Sequence, residues 1–458
     1  MLRNPFFTLT VLWLMGIPTT FATTPVHEFI LDNGLKVLVR EDHRAPVVVS
    51  QIWYKVGSSY EPNSLTGISH LLEHMMFKGT PNVPSNQFSR MIAANGGSEN
   101  AFTSRDYTAY FQTLEKDRLA LSFRLEADRM RHLLLNPDDI KKEIQVVAEE
   151  RRLRTEDRPE ALTSERFQAA AYITSPYRNP VIGWMQTIET ITPEDLRNWY
   201  QRWYAPNNAT LVVVGDVNPD GVYQLAKKYF GALPAGKLTP PRVAQELPQH
   251  GEQRIIVKTP AEVPYIMLGY KVPTLKTAQA SWEPYALAIL DGILDGGNSS
   301  RISRNLIRGS QVAAAAGTSY DLSARLQGLY VLTANPAPAR STAEVEQALR
   351  AEVAKLRESL VSSEELARVV AQITASEVYQ QDSMFYQGMR LGILETVGLG
   401  WRKIDDYVRG IQAVTPEQVN QVAQKYLIDD RLTVATLEPL PLNQRRPRSS
   451  KAVHPGRH

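Results

Sequence analysis

The run Gly67-Ile-Ser-His70-Leu-Leu-Glu73-His74-Met-Met-Phe-Lys-Gly79-Thr80 combines apolar residues at helical spacing with two imidazoles and a carboxylate. The spacing predicts a helix within Ser64–Phe77. His70 and His74 stand at i and i+4, so one helix face presents both. Glu73 follows His70 by three positions and reaches the same side. Leu71, Leu72, Met75, Met76 and Phe77 embed these polar groups in an apolar helix, where unpaired polar atoms are costly. Two neutral imidazoles and one carboxylate make a three-ligand zinc site with its fourth position open, the pattern of a catalytic site. The remaining acid then serves as general base toward the attacking water.

A further ligand has to come from elsewhere in the chain. The predicted helix Asp138–Arg154 offers Glu143, Glu149 and Glu150. Residues seven apart lie two turns apart on one face, which pairs Glu143 with Glu150 and turns Glu149 away. Either of the pair can ligate, with the other supporting it from behind.

Working outward, the chain has 458 residues, long enough for two domains. Its composition is that of a globular protein, 43% hydrophobic and 22% charged. It has no Cys, which excludes disulfides, a thiol nucleophile and thiolate-bound metals. A metal site must therefore use His and carboxylates. The net charge of +3 comes from the ends: the first 22 and last 18 residues carry six bases and no acid. The remaining body is slightly acidic and gives no reason to expect nucleic-acid binding. Arg3, the apolar run Phe6–Ile17 and Thr-Phe-Ala at 20–22 read as a secretory signal peptide cleaved near Ala22. That run is too short to span a bilayer, and no other approaches the required length, so an exported chain without stable membrane insertion is expected.

The halves resemble each other. Tyr54-Lys55-Val56 recurs as Tyr270-Lys271-Val272. Thr192-Pro193-Glu194-Asp195 opens a helix before the strand Ala209–Gly215, and Thr415-Pro416-Glu417-Gln418 opens another before Leu432–Leu437. Between the halves, Pro234–Pro248 is rich in Pro, Gly and Gln and reads as the linker. Further expected elements are a hairpin about Asp32-Asn33-Gly34, a buried strand Val47–Val56, a strand Ala101–Phe111 and a helix Leu114–Leu135. Mixed strands and helices without strict alternation predict an α+β fold with mostly antiparallel sheets.

The motif at 67–80 resembles the inverted zinc motif of the pitrilysin and mitochondrial-processing-peptidase family, the inverzincins. The likeness continues through Asn95-Gly96-Gly97-Ser-Glu-Asn100-Ala101-Phe-Thr103, Asp106–Thr108 and Tyr110, which match that family's substrate-binding edge strand. Glu150 follows His74 after 75 residues, the family's spacing for its third ligand. Pro206-Asn207-Asn208, Val214-Gly215-Asp216 and Gly296-Gly297-Asn298-Ser-Ser-Arg301 also fit. The resemblance implies one Zn²⁺ held by His70, His74 and Glu150, with Glu73 activating water and Glu143 supporting the site. It implies two related α/β-roll domains facing each other across a chamber. It also implies that extended peptide adds to Asn100, Ala101, Phe102 and Thr103.

On this reading residues 1–22 are the signal, 23–233 the zinc-peptidase domain, 234–250 the linker, 251–440 a related domain without metal, and 441–458 a basic, disordered tail. Self-sufficient members carry an Arg and a Tyr seven residues apart in the second half. Ile307 and Ala314 align there, while Arg308 and Tyr320 fit only after a shift of register. The expected partner is therefore a related, metal-free chain bearing the Arg/Tyr pair, in a heterodimer rather than a homodimer, within the bacterial periplasm. The competing expectation is a non-catalytic assembly subunit that retains the fold.

Overall fold

The computed structural model describes residues 25–239 and 245–444. The signal-peptide reading of 1–22, the basic residues of the tail and 240–244 of the linker lie outside them.

Two sheets organise the chain. The first contains β1 (Val26–Ile30), β2 (Lys36–Glu41), β3 (Val47–Tyr54), β4 (Ser98–Thr103), β5 (Thr108–Glu115) and β6 (Ala209–Gly215), in the order β1-β2-β6-β3-β5-β4. The second contains β7 (Gln253–Pro260), β8 (Tyr265–Val272), β9 (Ala313–Ser319), β10 (Gly328–Pro336) and β11 (Leu432–Leu440), in the order β7-β11-β8-β10-β9. With β1 set aside, the two orders are the same. Each sheet has one parallel pair, β2 with β6 and β7 with β11, and is otherwise antiparallel. The repeat seen in sequence is thus a repeat of topology. Thr192 and Thr415 both close capping boxes, on the helices Pro193–Trp203 and Pro416–Tyr426, each leading into the parallel-paired strand of its sheet.

On one face of the first sheet pack α1 (Ile68–Met75), α2 (Gln87–Ala94), α3 (Leu119–His132) and α4 (Pro137–Arg151), around Val37, Ile52, Tyr54, Leu71, Leu72, Phe123 and Leu211. The other face is covered from the second half. The helix Met384–Thr396 sets Leu391 and Leu394 against Leu38, Trp53, Val212 and Val214. In return α5 (Pro159–Ala171) sets Phe167 and Ala171 against Met267, Leu329, Val331 and Ala435 of the second sheet. Each exchange is fitted at a glycine. The Trp53 ring fills the space beside Gly392, and the Phe167 ring fills the space beside Gly269.

Two expectations change. The single strand over Ala101–Phe111 is a hairpin, β4 and β5. It turns at Ser104–Tyr107, where the Ser104 N–H donates to Tyr107 O at 2.8 Å. The helix expected from Leu114 starts at Leu119, because the preceding residues pair in β5. The Pro-rich stretch is anchored near its second described end. Glu246 pairs with Lys271 at 2.5 Å and accepts the N–H groups of Ile173, Thr174 and Ser175.

Candidate metal centre

α1 is held at its entry by two features. Gly67 has φ +91°, and a Cβ there would meet Ile182 O at 2.6 Å, so the turn into the helix requires glycine. The buried carboxylate of Glu61 accepts from Gly67 N and Ser69 N, both at 2.8 Å, satisfying donors that helix starts leave open. Burial nevertheless pushes the Glu61 acid up to about 7 against those hydrogen bonds. With Ile68, Leu71, Leu72 and Met75 turned into the core, His70, Glu73 and His74 are left on the side that meets α4.

Asn136 caps α4 by accepting from Asp138 N, and Pro137 occupies its first turn. Glu143 and Glu150 share the face toward α1, while Glu149 turns away to an ion pair with Arg152 at 2.5 Å. Glu150 Oε2 lies 3.3 Å from His74 Nε2 and 3.7 Å from His70 Nε2. Two donors about 2.1 Å from one ion at a tetrahedral angle stand about 3.4 Å apart. The three donor atoms all lie within 4.8 Å of one another, a spacing one zinc ion fits. His-His-Glu is also the hard/borderline donor set that favours zinc in catalytic sites.

The surrounding groups fix these donors. Glu143 Oε2 is 3.2 Å from His74 Nδ1, which leaves Nε2 for the metal side. Lys78 holds the other Glu143 oxygen at 2.5 Å. After α4 the chain makes one π-helical turn over Arg152–Glu156, and Arg154 returns to Glu150 Oε1 at 2.6 Å. One oxygen of Glu150 is thereby occupied, and the other faces the imidazoles. His70 is less supported, since its Nδ1 has no hydrogen-bond partner among the described residues.

Charge follows geometry. Burial opposes the ionised form of Glu150, but the His74 hydrogen bond and the charges of His70, His74 and Arg154 bring it down to about 2. Burial and the neighbouring His74 hold His70 down to about 4. Both are therefore in ligand form at neutral pH. For His74 burial is outweighed by Glu143 and Glu150, which raise it to about 9 in the metal-free protein. Burial pushes Glu73 up, only partly offset by the Thr103 hydroxyl, which donates to Glu73 Oε2 at 2.5 Å.

That last contact ties the edge strand to the acid. Among the described residues β4 pairs only with β5, which leaves its other edge open to a further strand. Ala101 and Thr103 face the α1 side, and Phe102 faces the other, edge-on to Trp53 at 5.7 Å. Asn100 is exposed, with its Oδ1 accepting from Ala101 N. The motif reading missed Glu61, Lys78 and Arg154. Lys78 lies four residues beyond His74 and Arg154 four beyond Glu150, so both were open to a helix-spacing argument, whereas Glu61 had no motif to mark it.

In the second half Ile307 packs against the core and Ala314 lies on the edge strand β9. The shifted alternatives are engaged locally. Arg308 donates to Asn298 O, and the half-buried Tyr320 donates to Pro273 O at 2.6 Å.

Two matching α+β halves, one presenting His-x-x-Glu-His toward a glutamate-bearing helix, define the class of inverted-motif metallopeptidases. Comparison with known proteins agrees. Residues 36–184 match the insulinase family, peptidase family M16, and residues 190–373 match the peptidase M16 inactive domain. A Helicobacter pylori protein named zinc protease PqqE is 31% identical over 421 residues, 91% of this chain and 93% of that protein. A Bacillus subtilis protein, uncharacterized zinc protease YmxG, is 25% identical across 88% of this chain and 96% of its own. The crystal structure of a protease from Helicobacter pylori superposes with a TM-score of 0.86 at 29% identity, covering 91% of this chain and all of that one. The chain belongs to the peptidase M16 (pitrilysin) family.

Proposed function

We propose that this chain is a zinc metalloendopeptidase that cleaves extended or unfolded peptides, as the metal-bearing member of a heterodimer with a related chain. The observation that carries this reading is the convergence of His70, His74 and Glu150 beside Glu73, with Glu73 tied through Thr103 to an open sheet edge.

His70 Nε2, His74 Nε2 and Glu150 Oε2 would hold the ion. Bound there, zinc supplies Lewis acidity toward a water molecule and a peptide carbonyl. The other steps belong to the protein. The open edge of β4 binds the peptide main chain as an added strand, with little demand on side chains. Glu73, with Oε2 held by Thr103, takes the proton of the attacking water at Oε1 and delivers it to the leaving amine. Burial raises its pKa, a shift that favours proton uptake. Glu143 keeps His74 in the tautomer that offers Nε2.

The partner is inferred from what the second half lacks. Ile307 and Ala314 hold no charge or hydroxyl, and Arg308 and Tyr320 are already bonded within their own half. A second chain would supply the Arg/Tyr pair, with the division of this chain falling at 234–250. Export rests on Arg3, the Phe6–Ile17 run and Ala22. No helix among the described residues is long and apolar enough to cross a membrane.

The test is hydrolysis of a long unstructured peptide by the mature chain, alone and with a related Arg/Tyr chain, with and without chelator. Chelator-sensitive cleavage that Glu73→Gln abolishes while zinc is retained supports the reading. Absence of cleavage in both settings removes it in favour of a non-catalytic subunit.

A further inference from the structure

We propose that Arg325, from the metal-free half, is a positioning residue that fixes the end of β4 and so sets where an extended peptide lies relative to Glu73. The inference rests on the peptidase reading above.

Arg325 lies in the loop between β9 and β10 and reaches across to the first half. Its backbone N–H donates to Asp106 Oδ2 at 3.1 Å and its Nε to Asp106 Oδ1 at 3.1 Å. Its terminal nitrogen donates to Ser59 Oγ at 2.8 Å, and its guanidinium stacks 4.3 Å above the Tyr60 ring. Asp106 also accepts from Ser59 Oγ at 2.7 Å and from the Tyr177 hydroxyl, which in turn accepts from Leu326 N. One buried carboxylate thus receives donors from three separate chain segments, and Arg325 supplies two of them.

The placement of this cluster gives it a function beyond joining two halves. Asp106 is in the four-residue turn that begins immediately after Thr103, the residue bonded to Glu73. Ser58 N and Ser59 N donate to the carbonyls of Ser104 and Arg105 in the same turn. A Cβ on Gly57 would lie 2.3 Å from Ser104 O, so the two segments are in direct contact. On its other side, the Ser58–Tyr60 segment leads straight into Glu61, which caps α1. Arg325 therefore grips a segment that adjoins both the end of the open strand and the cap of the helix bearing Glu73. A part-buried ion pair with its acceptors satisfied favours a single arrangement, whereas the edge strand itself pairs on one side only among the described residues.

The experiment compares Arg325→Met and Arg325→Lys with wild type, with the partner chain present if the wild type needs it. Two readouts are taken well below the unfolding temperature. In the first, amide exchange over 98–107 is expected to speed up about 10-fold in Arg325→Met and less in Arg325→Lys, with α3 unchanged. In the second, KM for a long extended peptide is expected to rise about 10-fold with kcat within about 3-fold and zinc content unchanged. Should Arg325→Met fail to fold, Ser59→Ala, which removes one anchor and keeps the ion pair, is expected to shift both readouts in the same direction. Wild-type exchange and wild-type KM in a folded, zinc-loaded variant overturn the proposal. Failure of the peptidase reading is distinguishable, because the wild type itself would then cleave nothing.

Discussion

The exchange of helices between the halves makes a quantitative prediction at Gly269. This residue sits inside β8, where alanine is ordinarily better than glycine by about 0.5–1 kcal/mol, since glycine loses more backbone entropy on folding. Here a Cβ would lie 2.3 Å from Phe167 Cζ and 3.2 Å from both Cε atoms of the same ring. Phe167 is fully buried on α5 and cannot swing out to solvent without opening a core. The overpacking cost is about 1–3 kcal/mol, which outweighs the entropic gain. Gly269→Ala is therefore expected to destabilise. Phe167→Ala alone leaves a cavity and costs about 3–5 kcal/mol. In that background the steric conflict is gone, and Gly269→Ala is expected to stabilise by about 0.5–1 kcal/mol. The cycle thus carries a coupling equal to the overpacking cost, about 1–3 kcal/mol, with a reversal of sign. Urea unfolding of zinc-loaded protein, followed by both tryptophan fluorescence and circular dichroism, reads it directly. Gly269→Ala having the same effect in both backgrounds would show that α5 does not pack on the second sheet as described.

Two further outcomes are expected. Glu143→Gln keeps the volume but loses charge against His74 and Lys78, so zinc affinity is expected to fall about 10–100-fold; competition with a chromophoric chelator measures it, and unchanged affinity would remove Glu143 from the site. Glu61, raised from 4.5 to about 7 by burial, binds a proton in the folded state that the unfolded chain has already lost between those pH values. Stability from this group is therefore present at low pH and declines as pH rises from about 4.5 to 7, by up to about 3 kcal/mol. Glu61→Gln removes that titration, so the stability of the variant relative to wild type should climb over this window and flatten above pH 7. A difference independent of pH would contradict the assignment.

Much of the site was legible because its chemistry is local. His70, Glu73 and His74 share a helix face by spacing alone, and Glu143 and Glu150 share another by two full turns. That these two faces meet is a tertiary fact; only the family resemblance joined Glu150 to His74 across 75 residues. The repeat was readable from Thr192 and Thr415 because capping boxes are short-range signals. The exchange of Pro159–Ala171 and Met384–Thr396 was not, because nothing along either helix says whose sheet it covers. The β4–β5 hairpin was read as one strand because its turn carries no glycine. None of Ser104–Tyr107 has a positive φ, so the turn needs no glycine, and Asp106 within it is held by Arg325 from 219 residues away. Arg325 and Glu61 were invisible in the sequence, since each acts through a tertiary contact rather than a pattern.

The most direct test of the central claim is the zinc bound per chain after dialysis against the metal, measured for wild type and for four variants by elemental analysis. One equivalent is expected in wild type and in Glu73→Gln, and loss of that equivalent in His70→Ala, His74→Ala and Glu150→Gln. A wild-type chain that binds no zinc, or a Glu150→Gln variant that holds it as firmly as wild type, would contradict it.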